Sequence, residues 1–173
     1  MIITENILAE LVAQIPEIRI NDDVCRQPNF HWGDRHELVK YLEIKSEEAY
    51  PLVWLLLGVE NHREDGMICR RDCEIIIATR ETDKSLLNTQ RYLKSFDTVL
   101  NPVLKYLIEG LNSFTKTKIV NDQWSIERRP DYTESYYKND NDNYTIDLWD
   151  ALKLLCELEF YGNKCSNTIK WKD

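Results

Sequence analysis

The sequence predicts an α+β fold, a mostly antiparallel sheet of about four to five strands with helices packed on one face. Three stretches carry that expectation. Residues 51–57 form a continuous apolar run of strand length, residues 84–111 bear apolar side chains at separations of mostly three, four and seven, and residues 146–161 alternate apolar with polar. The chain of 173 residues is read as one domain: an N-terminal helix (1–15), an irregular stretch with a short helix (16–50), the α+β core (51–162) and a C-terminal tail (163–173).

Each element follows from its spacing. Ile7, Leu8, Leu11, Val12 and Ile15 recur at helical intervals behind Thr4, read as the N-cap, and Pro16 ends the run. Leu38, Leu42 and Tyr41 share one face of a brief helix over 37–45. Residues 51–57, begun by a proline and closed by Gly58, suit a strand covered on both faces. Residues 70–80 put Cys73, Ile75, Ile77 and Thr79 on one side, and the polar stretch between the two strands ends in Asp65-Gly66, a turn pair. An antiparallel hairpin with a long charged tip follows.

Leu86, Leu93, Phe96, Leu100, Val103, Leu104, Leu107 and Leu111 mark one helical stripe, interrupted by Pro102, so two consecutive helices or one kinked helix are expected. Residues 119–130 alternate like a strand, and 132–144, rich in Asn and Asp, read as loop. The final segment reads as a strand with Leu152, Leu154, Cys156, Leu158 and Phe160 inward; a helix through Leu148, Ala151, Leu152 and Leu155 is the alternative.

Composition excludes several classes of function. Hydrophobic residues at 43% with 30% charged residues do not fit wholesale disorder, and the longest apolar run, 52–57, is far too short to span a bilayer. The net charge of −8 is the wrong sign for a protein that grips duplex DNA by counterion release, so no sequence-specific nucleic-acid binding is expected. Five cysteines are an odd number, and the start of the chain has no basic segment followed by an apolar one. Reduced thiols in a cytosolic protein are expected, with neither metal nor disulfide required for folding. With five glycines there is no glycine-rich phosphate loop.

The residues that bear chemistry read mostly as structural. His31, His36 and Glu37 are the densest set of metal-ligand types, but their spacing is not His-Glu-x-x-His. Cys69 and Cys73 on one strand lie ~13 Å apart, too far for a bridge, and read as core thiols. The acidic pairs Glu47-Glu48, Glu64-Asp65 and Glu157 with Glu159 read as solvated charge. With no nucleophile elbow and no triad pattern, no enzyme activity and no cofactor are expected. Arg128 and Arg129 near Trp124, Tyr132, Tyr136 and Tyr137 form a basic aromatic cluster whose field Glu127, Asp131, Glu134 and Asp140 cancel, which suits a subunit contact.

Gly33-Asp-Arg-His-Glu-Leu38, Tyr50-Pro-Leu-Val-Trp-Leu55, Cys73-Glu-Ile-Ile-Ile-Ala-Thr79, Tyr92-Leu-Lys-Ser-Phe-Asp97 with Val99-Leu-Asn-Pro102, and Glu157-Leu-Glu-Phe-Tyr-Gly162 together resemble the tail-terminator or tail-completion proteins of tailed bacteriophages and their ring-forming relatives at the head-to-tail neck. The similarity runs over residues 30–171, leaving out the N-terminal helix and the loop 138–143. It implies a structural virion protein, made in the host cytoplasm, that forms a homo-oligomeric ring of six or twelve copies. Such a ring surrounds the DNA channel and contacts adjacent neck, portal-associated or tail proteins. On that reading Glu60, Glu64 and Asp65 are candidates for the channel wall, and Arg63, Arg91, Lys94, Trp124, Arg128 and Arg129 for subunit interfaces. A monomeric cytosolic α+β protein and a small enzyme of unassigned chemistry are the alternatives.

Overall fold

The computed structural model describes residues 2–44, 47–63, 66–81, 83, 85–130, 132 and 149–171. Along the chain run α1 (Thr4–Val12), β1 (Ile18–Arg19), β2 (Cys25–Arg26), β3 (Asn29–Gly33), α2 (Arg35–Ile44), a 3-10 turn (Glu47–Ala49), β4 (Leu52–Leu56), β5 (Glu60–His62) and β6 (Ile68–Arg80). Then follow α3 (Asn88–Arg91), a π-helical segment (Tyr92–Leu100), α4 (Asn101–Ser113), β7 (Thr117–Arg129) and β8 (Trp149–Tyr161). No helix among the described residues is long and apolar enough to cross a membrane.

The α+β class holds, with a mixed sheet of six strands in the order β3-β4-β6-β8-β7, β5 pairing β6 as well. Every pair is antiparallel except β3 with β4. That exception has a topological cause: β3, α2 and β4 form a β-α-β unit, and parallel neighbours need a crossover between them. The crossover also carries α2 to the face opposite the other helices, where Leu38 packs with Tyr50, Trp54, Ile76 and Ala151. Helices therefore cover both faces, not one. Asp34 starts α2 with a reciprocal cap, its carboxylate accepting the Glu37 N–H at 2.8 Å and its own N–H donating to Glu37 Oε2 at 2.8 Å.

The main core lies on the other face. Val53 and Leu55 of β4, Ile75 and Ile77 of β6, and Leu152, Leu154, Leu158 and Phe160 of β8 meet α1 and the long helix. The even-numbered positions of β8 point inward as the alternation predicts, so the strand reading holds over the helical one. β8 pairs along its whole length with β6, from Trp149 opposite Arg80 to Tyr161 opposite Ile68, and β7 lies on its far side. The last strand in sequence is thus central in space.

Residues 88–113 are helical throughout, and α4 opens at Asn101 with Pro102 in its first turn. The chain accommodates it by a change of hydrogen-bond register. In the π-helical segment donors reach one residue further back, the Asn101 N–H to the Phe96 carbonyl, and the Thr98 hydroxyl donates to the Leu93 carbonyl at 3.0 Å. Pro102, which has no N–H, stands where that pattern returns to α spacing. Phe96, Leu100, Val103, Leu104, Leu107 and Leu111 of the stripe are all buried, and so is Val99 beside them. Leu86 and Leu93 are not.

One correction and one close approach concern local geometry. Thr4 is the first helical residue of α1 and Ile3 its cap; the Thr4 hydroxyl serves a buried cluster described below. Gly58, between β4 and β5, lies so close to β6 that a Cβ there would sit 2.9 Å from the Asp72 carbonyl oxygen, an approach only glycine permits. That closeness lets β4 and then β5 follow the same edge of β6.

Leu107 is fully buried and Leu93 is 68% exposed on the same helical run. Leu107→Ala should cost about 2–5 kcal/mol by leaving a cavity, and Leu93→Ala no more than about 0.5 kcal/mol, as measured by equilibrium denaturation.

Candidate functional site

Side chains alternate across the sheet, so the even-numbered residues of β6 and the odd-numbered ones of β8 face away from the main core. One end of that second face is closed by α2 with Tyr50, Tyr132 and Trp149. The other end is open. There Arg70, Asp72 and Glu74 of β6 and Lys153, Leu155, Glu157 and Glu159 of β8 are exposed or half-buried.

These charges form a ladder across four elements. Glu74 accepts from Arg35 of α2 at 3.1 Å and from Lys153 at 3.0 Å, Lys153 reaches Glu127 of β7 at 3.5 Å, and Glu127 pairs with Arg129. Further along, Arg70 donates to Glu159 at 2.7 Å, and the Tyr161 hydroxyl donates to the same carboxylate at 2.6 Å. That hydroxyl bond, with Arg70, outweighs desolvation and holds the Glu159 carboxyl below its usual range. A cleft of about 460 Å³ opens beside the ladder, lined by Asp34, Arg35, Leu57, Asp72, Glu74 and Leu155 among others. Leu57 is 53% and Leu155 40% exposed, so apolar area stands among the ion pairs.

A second cluster joins the charged hairpin to α1. Arg71, only 1% exposed, donates from Nη1 to the Thr4 hydroxyl at 2.7 Å, to Glu5 at 2.6 Å and to Glu60 at 3.1 Å, and from Nη2 to the Leu56 carbonyl at 3.0 Å. The Thr4 hydroxyl in turn donates to Glu60 Oε1 at 2.6 Å. Beside them, His62 Nε2 lies 3.0 Å from Glu60 Oε2 and 3.8 Å from Cys69 Sγ. Burial works against ionisation of Glu60, yet the bonds from Thr4 and His62 and the charge of Arg71 outweigh it and keep its carboxyl below the ordinary value. Burial, and next the charge of Glu60, push the Cys69 thiol up to about 11.

The expected site residues are dispersed by the fold. Glu60, half-buried, turns Oε1 into the Arg71 cluster, so part of its carboxylate is engaged within the subunit; Glu64 and Asp65 lie outside the described residues. The reading of Arg91 is corrected: it is 2% exposed, and its guanidinium donates to Asp150, itself fully buried, at 3.1 Å. Lys94 is at the surface but holds the buried Glu81 at 2.9 Å. Arg63, Trp124, Arg128 and Arg129 are exposed. By register Trp124 and Arg128 lie on the helix-side face of β7 and Arg129 on the open face. A break in register after Ile119, where Asn121 and Asp122 take positive φ, separates this half of β7 from the first.

The histidines and thiols sort in the same way. His31 packs 4.2 Å from the Tyr41 ring and 6.2 Å from that of Trp54, while His36 is exposed and Glu37 caps its helix. Cys69 and Cys73 are core thiols as expected, and Cys73 faces Cys156 across the strands. Sequence reasoning compared Cys69 with Cys73 along one strand and missed its cross-strand partner His62; the signal was the hairpin register. No protein-family model matches the chain, and no curated protein matches it.

Two tests follow from the buried charges. Arg91→Ala should behave as a folding variant, costing about 3–5 kcal/mol in equilibrium unfolding because it removes one member of a buried ion pair with Asp150. Because the Glu60 pKa is depressed in the folded state, its stabilisation is complete above the ordinary value of 4.5 and lost as pH falls through the lower folded value. The thermal midpoint should therefore drop in acid, and Glu60→Gln should show a shallower drop below that pH than the unaltered protein.

Proposed function

We propose that the chain is a structural virion protein, a ring-forming head-tail connector or tail-terminator-like subunit that joins neck or tail components around the DNA channel. The motif resemblance supplies the family. The geometry supports it with two unlike surfaces on one subunit. The first is the open end of the sheet, with its ion-pair ladder, cleft, Leu57 and Leu155. The second is the outer side of the helical run, where Leu87 and Leu93 are more than two-thirds exposed and Tyr92 is partly so. Contact between unlike surfaces on successive copies is heterologous, the kind that closes rings when the rotation permits.

The observation that carries this reading is the half-covered sheet. A sheet face with ordered ion pairs around exposed leucines offers what a subunit contact uses, apolar area for affinity and charge for register. The net charge of −8 suits a passage through which a phosphate backbone moves without being gripped. In this proposal the ring has six or twelve copies, sits in the neck or tail of the virion and is assembled in the host cytoplasm.

Native mass spectrometry and electron microscopy of the purified chain, alone and mixed with isolated neck or tail complexes, test this directly. Cyclic homo-oligomers are expected in at least the mixture, and Leu155→Asp or Leu93→Asp should reduce them to monomers while shifting stability by no more than about 0.5 kcal/mol. A chain that stays monomeric in both settings and is missing from purified particles would overturn the proposal.

A further inference from the structure

Along β5, Glu60 and His62 are two residues apart and project to one side of the hairpin. Across from them the register sets His62 opposite Cys69 and Glu60 opposite Arg71. Four side chains thus form a two-by-two patch on one face. Three of them offer metal-ligand atoms of different kinds, an imidazole nitrogen, a thiol sulfur and a carboxylate oxygen, all within 4.8 Å of one another.

We propose that Glu60, His62 and Cys69 form a binding site for a zinc-class divalent cation, with the fourth coordination position open to water or an incoming ligand. Bond lengths of about 2.0–2.2 Å to nitrogen and oxygen and about 2.3 Å to sulfur set tetrahedral edges of about 3.3 Å between N and O and about 3.5 Å between N and S. The separations present, 3.0 Å from His62 Nε2 to Glu60 Oε2 and 3.8 Å from His62 Nε2 to Cys69 Sγ, lie within about 0.3 Å of those edges, a difference small side-chain rotations absorb. The donor set chooses the class of ion. Magnesium and calcium take oxygen ligands, whereas a sulfur and an imidazole beside one carboxylate suit zinc.

The surroundings hold the ligands in place. Glu60 uses Oε1 for Thr4 and Arg71 and keeps Oε2 toward His62, the outer-shell arrangement that orients a metal-binding carboxylate. Charge favours a cation as well. Without one, the carboxylates of Glu5 and Glu60 face the single guanidinium of Arg71, leaving one net negative charge. A divalent ion forms its bond to Cys69 sulfur as the thiol proton leaves to solvent, and the set becomes neutral. Cys69 is fully buried beneath while His62 is exposed at the rim, so an ion can enter from solvent. The site stands whether or not the chain assembles into rings.

Cobalt(II) is the probe, titrated into the reduced full chain free of any histidine tag. One equivalent should produce a thiolate-to-cobalt charge-transfer band with tetrahedral ligand-field bands, and zinc should remove both. Cys69→Ser should abolish the charge-transfer band. His62→Asn, a surface change, should weaken cobalt affinity by at least about 100-fold with an unchanged circular dichroism spectrum. Replacing the two exposed thiols, Cys25→Ser with Cys165→Ser, should leave the spectrum as it was. Absence of the band in the unaltered protein, its survival in Cys69→Ser, or its loss with the exposed thiols would overturn the assignment. If Cys69→Ser does not fold, unchanged cobalt affinity in His62→Asn overturns it alone.

Discussion

A buried guanidinium sets the terms for one end of this molecule. Arg71 is almost wholly removed from water, and a charge in that position is tolerable only if its hydrogen bonds are met and a counter-charge is close. Thr4 and Glu5 come from α1, Glu60 from β5, and the Leu56 carbonyl from the end of β4. Bonding the two terminal nitrogens of one side chain of β6, whose buried Nε has no partner among the described residues, therefore fixes where the first helix docks, where β4 ends and how the hairpin folds back. The close passage at Gly58 belongs to the same constraint, since a side chain there would push β5 off the edge of β6 that brings Glu60 to Arg71.

The two faces of the sheet are finished differently, and the functional reading depends on the difference. On the first, α1 and the long helix exclude water from a continuous apolar core. On the second, α2 covers one end and leaves the other to a chain of ion pairs that crosses α2, β6, β8 and β7. Partly exposed pairs of this kind add little to stability. In the proposed ring they would specify what sits against them and in which register. Leu57 and Leu155 within the same region supply the apolar area that ion pairs lack.

The hairpin joins structure to chemistry through a single register. Pairing His62 with Cys69 places an exposed imidazole above a buried thiol, and pairing Glu60 with Arg71 orients the carboxylate that completes the set. A slip by one residue would turn half of these side chains to the other face and dissolve both the Arg71 cluster and the ligand set. Stability and metal affinity are thus coupled in the same four positions.

Much of the fold was legible in the residues themselves. The helix α1, the strands β4, β6 and β8, the long helical stripe and its buried leucines all follow from periods of 3.6 and 2, which are properties of neighbours along the chain. The edge strand β3 was not legible, because Phe30, His31 and Trp32 show no alternation and its partner β4 is reached only across a helix. Nor was the fate of the charges. Arg91 looked like a surface anchor until Asp150, 59 residues further on, came to lie beside it, and Glu60 looked like an exposed acid until Arg71 faced it. The sequence by itself determined the helix α1, the long helical run, the strands β4, β6 and β8 and most of the apolar residues that are core, since those depend on local spacing. Which charges are buried, which sheet face stays open and which ligands converge was decided only by tertiary pairing, because each depends on a partner distant in the chain.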